Sequence, residues 1–123
     1  MLEQKAAESL ADTYLEKLTA GDLQALVELY AEDGSVEDPV GSGVVQGRAA
    51  IRRFYQQALA GKPRAERSGS VRCCASEMVF PFVVRSEAGG HPIAIEIIDH
   101  FRVDDAGRIV AMRAFWSRDN IIR

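Results

Sequence analysis

From Glu3 to Ala20 apolar side chains return every three or four positions, at Ala7, Leu10, Ala11, Tyr14, Leu15 and Leu18. Glu3, Lys5, Glu8, Asp12, Glu16 and Lys17 fill the other face. That spacing predicts an amphipathic helix. Gly21 is a natural stop, and Asp22 can cap a second helix that carries Leu23, Leu26, Val27 and Tyr30 on one side. An Asp33-Gly34 turn, a short extended piece from Ser35 to Val40 and the glycine-rich loop Gly41-Ser-Gly43-Val-Val-Gln-Gly47 lead into a third helix from about Arg48 to Ala60. Its inward face carries Ile51, Phe54, Tyr55 and Leu59.

Beyond Gly61-Lys-Pro63 the period drops to two. Val71 to Ala75, Met78 to Arg85, Pro92 to Val103 and Arg108 to Ser117 read as strands, joined by Ser76-Glu77, Glu87-Ala-Gly-Gly90 and Asp104-Asp-Ala-Gly107. Links this short imply an antiparallel meander. Three helices followed by four strands predict an α+β fold, with the helices on one face of a curved, mostly antiparallel sheet and a pocket on its concave side. Ile109, Ala111 and Phe115 alternate away from Met112, Ala114 and Trp116, which would leave apolar side chains on the outer face and favour a dimer.

The 123 residues, 47% hydrophobic and 27% charged, match one domain spanning residues 1–123. A net charge of -3 argues against nucleic acid as a partner, because phosphate binding needs a basic surplus on one face. Glu3, Lys5 and Glu8 fall where a secretory signal would need apolar residues, and no stretch is long enough to span a bilayer, so a cytoplasmic protein without membrane contact is expected. Cys73 and Cys74 are neighbours that an extended strand would point to opposite faces. With only His91 and His100 besides, the ligand spacing of a metal site is missing, and the thiols read as structural.

Gly41, Gly43 and Gly47 nearly spell a dinucleotide fingerprint, but the last gap is one residue too long and no βαβ unit surrounds it. No Gly-x-Ser-x-Gly elbow occurs. What remains is a set of polar groups in apolar settings. Asp99 alternates with Ile95, Ile97, Phe101 and Val103, so it should point inward. There it either stays protonated as an O–H donor, meets an arginine, or caps a backbone amide. Tyr14 lies on the apolar stripe of the first helix, as a core tyrosine or as a buried donor. Tyr30 and Tyr55 occupy similar places on the next two helices, so the three phenols could converge. Asp38, before Pro39, is held extended, as a turn residue or as a carboxylate at the sheet mouth. Phe54, Phe80, Phe82, Val84, Met112, Ala114 and Trp116 could line an apolar pocket or simply fill the core. Together a base and two donors could abstract a proton beside a carbonyl and hold the enolate.

Tyr14, the segment Tyr30-Ala-Glu-Asp-Gly-Ser-Val-Glu-Asp38-Pro-Val-Gly, the stretch Ile51-Arg-Arg-Phe-Tyr55, Ile98-Asp99-His-Phe-Arg, and Met112-Arg-Ala with Asp119-Asn-Ile resemble bacterial Δ5-3-ketosteroid isomerase. The likeness runs over nearly the whole chain and is weakest from Gly61 to Ser70, which borders the pocket mouth. It implies a cone-shaped NTF2-like fold and the conversion of 3-oxo-Δ5-steroids to 3-oxo-Δ4-steroids. This family is a familiar example of a carboxyl kept neutral at pH 7. By resemblance, Asp38 is the general base, Tyr14 and protonated Asp99 form the oxyanion hole, and Tyr55 with Tyr30 behind it supports Tyr14. Val40, Phe54, Phe80, Phe82, Val84, Phe101, Met112, Ala114 and Trp116 would contact the steroid. The resemblance implies no metal or other cofactor, and a homodimer. Another enzyme of the same fold, a cyclase, dehydratase or epoxide hydrolase, is one alternative. A noncatalytic carrier of apolar ligands is another.

Overall fold

The computed structural model describes residues 1–122, apart from the side chain of residue 88. Three helices pack on an open, mixed and mostly antiparallel sheet of eight strands. Helix α1 (Gln4–Ala20) buries Ala7, Ala11, Tyr14, Leu15 and Leu18, the stripe expected from its spacing. It ends where Gly21 takes φ 69°, and the glycine N–H closes back on the carbonyl of Leu18. A residue with a Cβ would be strained in this left-handed conformation. Helix α2 (Leu23–Glu28) starts at Asp22, whose carboxylate accepts from the amide of Ala25 at 3.1 Å. Helix α3 (Arg48–Ala60) buries Ile51 and Tyr55.

The strands are β1 (Tyr30–Glu37), β2 (Val44–Gln46), β3 (Arg64–Arg67), β4 (Arg72–Cys74), β5 (Glu77–Ala88), β6 (His91–Val103), β7 (Ile109–Phe115) and β8 (Ile121–Ile122). They follow the order β2-β1-β7-β6-β5-β3, with β4 also on β5 and β8 also on β6. The β5–β6–β7 meander is antiparallel, whereas β1 joins β7 in parallel. Strands β5 and β6 run further than expected, because Gly89 and Gly90, both at positive φ, close them with a two-residue turn.

Several expectations change. Tyr30 opens β1 instead of extending α2: the Ile109 amide donates to the carbonyl of Leu29, and Tyr30 pairs with Ile109, so sheet pairing captures the chain where helical spacing would have continued. The expected Asp33-Gly34 turn is absorbed into β1 at a break in register between Tyr30 and Ser35. A Cβ on Gly34 would come within 3.0 Å of the Ala31 carbonyl oxygen and 3.1 Å of that of Ile109, so this approach needs glycine. Part of the loop 41–47 pairs with β1 as β2. Strand β3 carries only Ala65 as an apolar residue and so has no hydrophobic alternation to read. Ile109 is fully buried, not on the outer face. One extra residue, Val110, lies between Ile109 (opposite Val103) and Ala111 (opposite Arg102), and this bulge reverses the facing of side chains.

The core between helices and sheet holds Leu26, Tyr30, Ile51, Phe80, Phe101, Ile109 and Met112, all essentially without solvent contact. Each large apolar side chain buried in this way contributes roughly 1.5–3 kcal/mol. On the outer face a row formed by Pro81, Ile98 and Phe115, in register across β5, β6 and β7, leaves Ile98 48% and Phe115 45% exposed.

Candidate active site

Tyr14 of α1, Tyr55 of α3, Asp38 just past β1, Asp99 of β6 and Trp116 just past β7 line one cavity of about 210 Å³. Its remaining wall is largely apolar and includes Phe54, Phe82 and Val84. Leu18, Ala58, Pro63, Ser86, Ile95 and Ile97 complete it. These six were not singled out as lining residues. Parity carried the signal for Ser86, Ile95 and Ile97, since each lies an even number of residues from Phe82 or Asp99 on the same strand. Leu18 is one helical turn from Tyr14.

Five residues expected in the wall lie elsewhere. Phe80, Phe101, Met112 and Ala114 are buried in the core and are absent from the cavity lining. Phe80 and Phe101 pack edge-on against Tyr14, with ring centroids 6.3 and 5.2 Å away, and so shape the cavity from behind. Val40 donates its amide to the carbonyl of Ala114 and borders the outer groove with Pro81, Ile98 and Phe115. For the four core residues alternation identified the inward face of the strand but not the depth along it, whereas Val40 lies in the turn beyond β1.

The three phenols meet. The hydroxyls of Tyr14 and Tyr55 are 2.9 Å apart, and those of Tyr30 and Tyr55 are 2.6 Å apart. Burial pushes all three phenols well above their usual pKa. The Tyr55 hydroxyl partly offsets this at Tyr14, as expected if Tyr55 donates to Tyr14.

Asp99 is 1% exposed, and neither carboxylate oxygen has a hydrogen-bond partner among the described residues. The arginine and amide-cap alternatives therefore do not hold. Burial first, and the charge of Asp38 second, hold this carboxyl well above the normal carboxylate range. A carboxyl in that setting keeps its proton and offers an O–H donor.

Asp38 is half-buried, and its peptide bond to Pro39 is cis. Burial raises its pKa, while the indole N–H of Trp116, donated to Oδ1, opposes the rise. Next to it, Glu37 accepts from the Gly41 amide at 3.0 Å and from Arg113 at 3.1 Å, which ties the 37–41 loop down to β7. Those donors, the Gly41 amide foremost, hold Glu37 below its ordinary pKa. The result is one ionisable carboxylate, one neutral carboxyl and two phenols, Tyr14 and Tyr55, in a single apolar enclosure. No group of three potential metal ligands occurs among the described residues, and no helix is long and apolar enough to cross a membrane.

The chain is similar to known proteins over most of its length. The chain is 40% identical over 109 residues to the steroid Delta-isomerase of Nocardioides simplex, covering 89% of this chain and 88% of that protein. It is 28% identical over 127 residues to epoxide hydrolase LasB of Streptomyces lasalocidi, covering 94% of this chain but 43% of that longer protein. The solved structure of SalBIII, described as an epoxide hydrolase/cyclase-like enzyme of pyran ring formation in the polyether salinomycin, superposes with a TM-score of 0.91 at 25% identity and covers 98% of both chains. The sequence profile of the SnoaL-like domain matches residues 11–112. With that match and the steroid Delta-isomerase likeness over most of its length, the chain belongs to the SnoaL-like, NTF2-like family.

Proposed function

We propose that the protein is a steroid Δ-isomerase that moves a proton from C4 to C6 of a 3-oxo-Δ5-steroid and so yields the conjugated 3-oxo-Δ4 isomer. The observation that carries this reading is the pair of carboxyls in unlike settings within one apolar cavity, Asp38 beside an indole donor and Asp99 without a hydrogen-bond partner among the described residues. The 40% identity to a steroid Delta-isomerase supports it.

In this mechanism ionised Asp38 takes the C4 proton, the electron pair moves toward the C3 carbonyl, and a dienolate forms. Tyr14 and protonated Asp99 donate to its oxygen. Asp38 then returns the proton to C6. Tyr30 donates to Tyr55 and Tyr55 to Tyr14, which leaves the Tyr14 hydrogen free for the ligand. A positioned base supplies ~10²–10⁴-fold. Each preorganised donor in a dry site adds roughly 3–4 kcal/mol of transition-state stabilisation, although donors sharing one oxygen need not add. No step calls for a metal or other cofactor. The apolar wall binds the rings and keeps Asp99 neutral.

The reading includes a cytoplasmic homodimer, with the second copy on the exposed Ile98 and Phe115 row, and analytical sedimentation tests that association. The decisive assay follows the absorbance of the conjugated enone formed from 5-androstene-3,17-dione. Turnover that is lost in Asp38→Asn is the expected result, and no turnover by the wild-type protein would overturn the reading. The likeness to LasB and SalBIII favours a second reading, in which the same acid and base open an epoxide. A hydroxy-epoxide consumed without any isomerisation of the ketosteroid would select it.

A further inference from the structure

We propose that Ser86 determines which ketosteroid is taken, its hydroxyl donating to an uncharged oxygen on the side chain that the ligand carries at the end remote from the reacting ketone. This rests on the isomerase reading for the placement of the ketone and adds the chemistry of the other end.

The cavity follows β5 and β6, where Asp99 pairs with Phe80, Ile97 with Phe82, Ile95 with Val84 and Ile93 with Ser86. Every second residue of a strand shares a face, so Ser86 is turned the same way as Asp99, Phe82 and Val84. Its place beneath α3 agrees: a Cβ on Gly61, at the end of that helix, would lie 4.0 Å from the Ser86 Cβ. At about 3.3 Å per residue, the strand from the Phe80 level to Ser86 spans at most about 20 Å. A fused four-ring nucleus is shorter than that, so an oxygen that meets Ser86 sits on a side chain beyond the last ring. The enclosed part of the cavity, about 210 Å³, is smaller than the roughly 300 Å³ at which ligand sites usually begin. A ligand of several fused rings therefore extends outward past Val84, toward a wider opening of about 840 Å³ that Ser86 also lines.

Apart from the phenols, carboxyls and indole at the reacting end, Ser86 is the one polar side chain among the described lining residues of the cavity. Near it Ala58, Pro63, Val84 and Ile95 offer no side-chain donor or acceptor. The hydroxyls of Thr19 and Ser42 donate to backbone carbonyls, whereas that of Ser86 has no partner among the described residues. A ligand that covers Ser86 strips water from this hydroxyl. A hydrocarbon tail would leave it unpaired, and an oxygen acceptor would replace the lost bond. A cavity polar only at its two ends thus matches a ligand polar only at its two ends.

The test uses two matched pairs of Δ5-3-ketones that differ by one side-chain oxygen: 5-pregnene-3,20-dione against 5-pregnen-3-one, and 24-hydroxychol-5-en-3-one against chol-5-en-3-one. The readout is the ratio of kcat/KM with the oxygen to kcat/KM without it. In Ser86→Ala that ratio should fall roughly three- to tenfold in at least one pair, the worth of one neutral hydrogen bond. The change should lie in KM, because a contact so far from the enolate is alike in ground and transition states. Ser86→Thr restores a hydroxyl and should restore most of the ratio. A folded Ser86→Ala variant with both ratios unchanged would overturn the proposal. If the wild-type protein isomerises none of the four ketones, the isomerase reading fails, and binding of the corresponding Δ4 ketones, followed by fluorescence of Trp116, the chain's one tryptophan, decides the role of Ser86 separately. Tighter binding of the oxygenated member that is lost in Ser86→Ala supports it, and an oxygen preference that is the same in wild type and variant refutes it.

Discussion

The indole N–H of Trp116 donates to Oδ1 of Asp38 at 2.6 Å, joining the end of β7 to the loop that follows β1. Burial raises the Asp38 pKa and this bond lowers it. A hydrogen bond to a charged group is worth about 1.5–3 kcal/mol, and a pKa unit corresponds to about 1.4 kcal/mol. Trp116→Phe should therefore move the acid limb of the kcat/KM profile upward by about one unit, with a smaller change at high pH where Asp38 is ionised in any case. A limb that stays in place would show that the bond does not tune the base.

Asp38→Asn keeps the shape of the side chain and removes its basicity. Turnover should drop by at least ~10²–10⁴-fold while a Δ4 product ketone still binds, as read by equilibrium titration. Loss of binding together with turnover would instead indicate a collapsed cavity.

The phenol chain predicts graded effects. Tyr14→Phe removes a donor from the cavity itself and should lower kcat by roughly 10²–10³-fold with little change in KM. Tyr30→Phe removes only the outermost hydroxyl, two hydrogen bonds from Tyr14, and should cost less than about tenfold. Equal losses in the two variants would contradict an ordered chain.

Asp99 affects stability with a definite sign. Below the unfolded value near 3.8 both states are protonated. Above it the unfolded chain ionises while the folded one retains its proton, so stability falls by about 1.4 kcal/mol per pH unit until the raised folded pKa is reached. Asp99→Asn should flatten that slope in urea titrations run at successive pH values. An identical slope in wild type and variant would mean that Asp99 is ionised in the folded protein.

Phe80 and Met112 belong to the core and not to the cavity wall. Phe80→Ala should cost about 3–5 kcal/mol in denaturant titration. The rim substitution Val84→Ala should cost less, and should act mainly on KM.

The helices and the long strands were legible because their periods are carried by apolar side chains in unbroken runs: the α1 stripe from Ala7 to Leu18, and the β6 alternation that ends in Asp99, Phe101 and Val103. The inward aim of Asp99 followed from the same alternation. What failed was set by distant partners. Tyr30 has helical spacing from Leu26 and Val27, and only pairing with Ile109 puts it in a strand. Strand β3 is held by the edge of β5 and carries almost no hydrophobic signal. Depth along a strand was equally hidden. Phe80 and Phe82 share a face, yet one is sealed in the core and the other reaches the cavity. The link from Trp116 to Asp38 joins residues 78 positions apart, which no local window can see.

The unmatched Val110 in β7 makes the arrangement a matter of reading frame. Delete that residue, which belongs neither to the buried core nor to the cavity wall, and the chain must choose: leave Ile109 seated beneath Tyr30 and rotate Trp116 off Asp38, or keep the indole in place and turn Ile109 out toward water. A single lost codon far from the chemistry would then silence the protein as surely as losing the carboxylate.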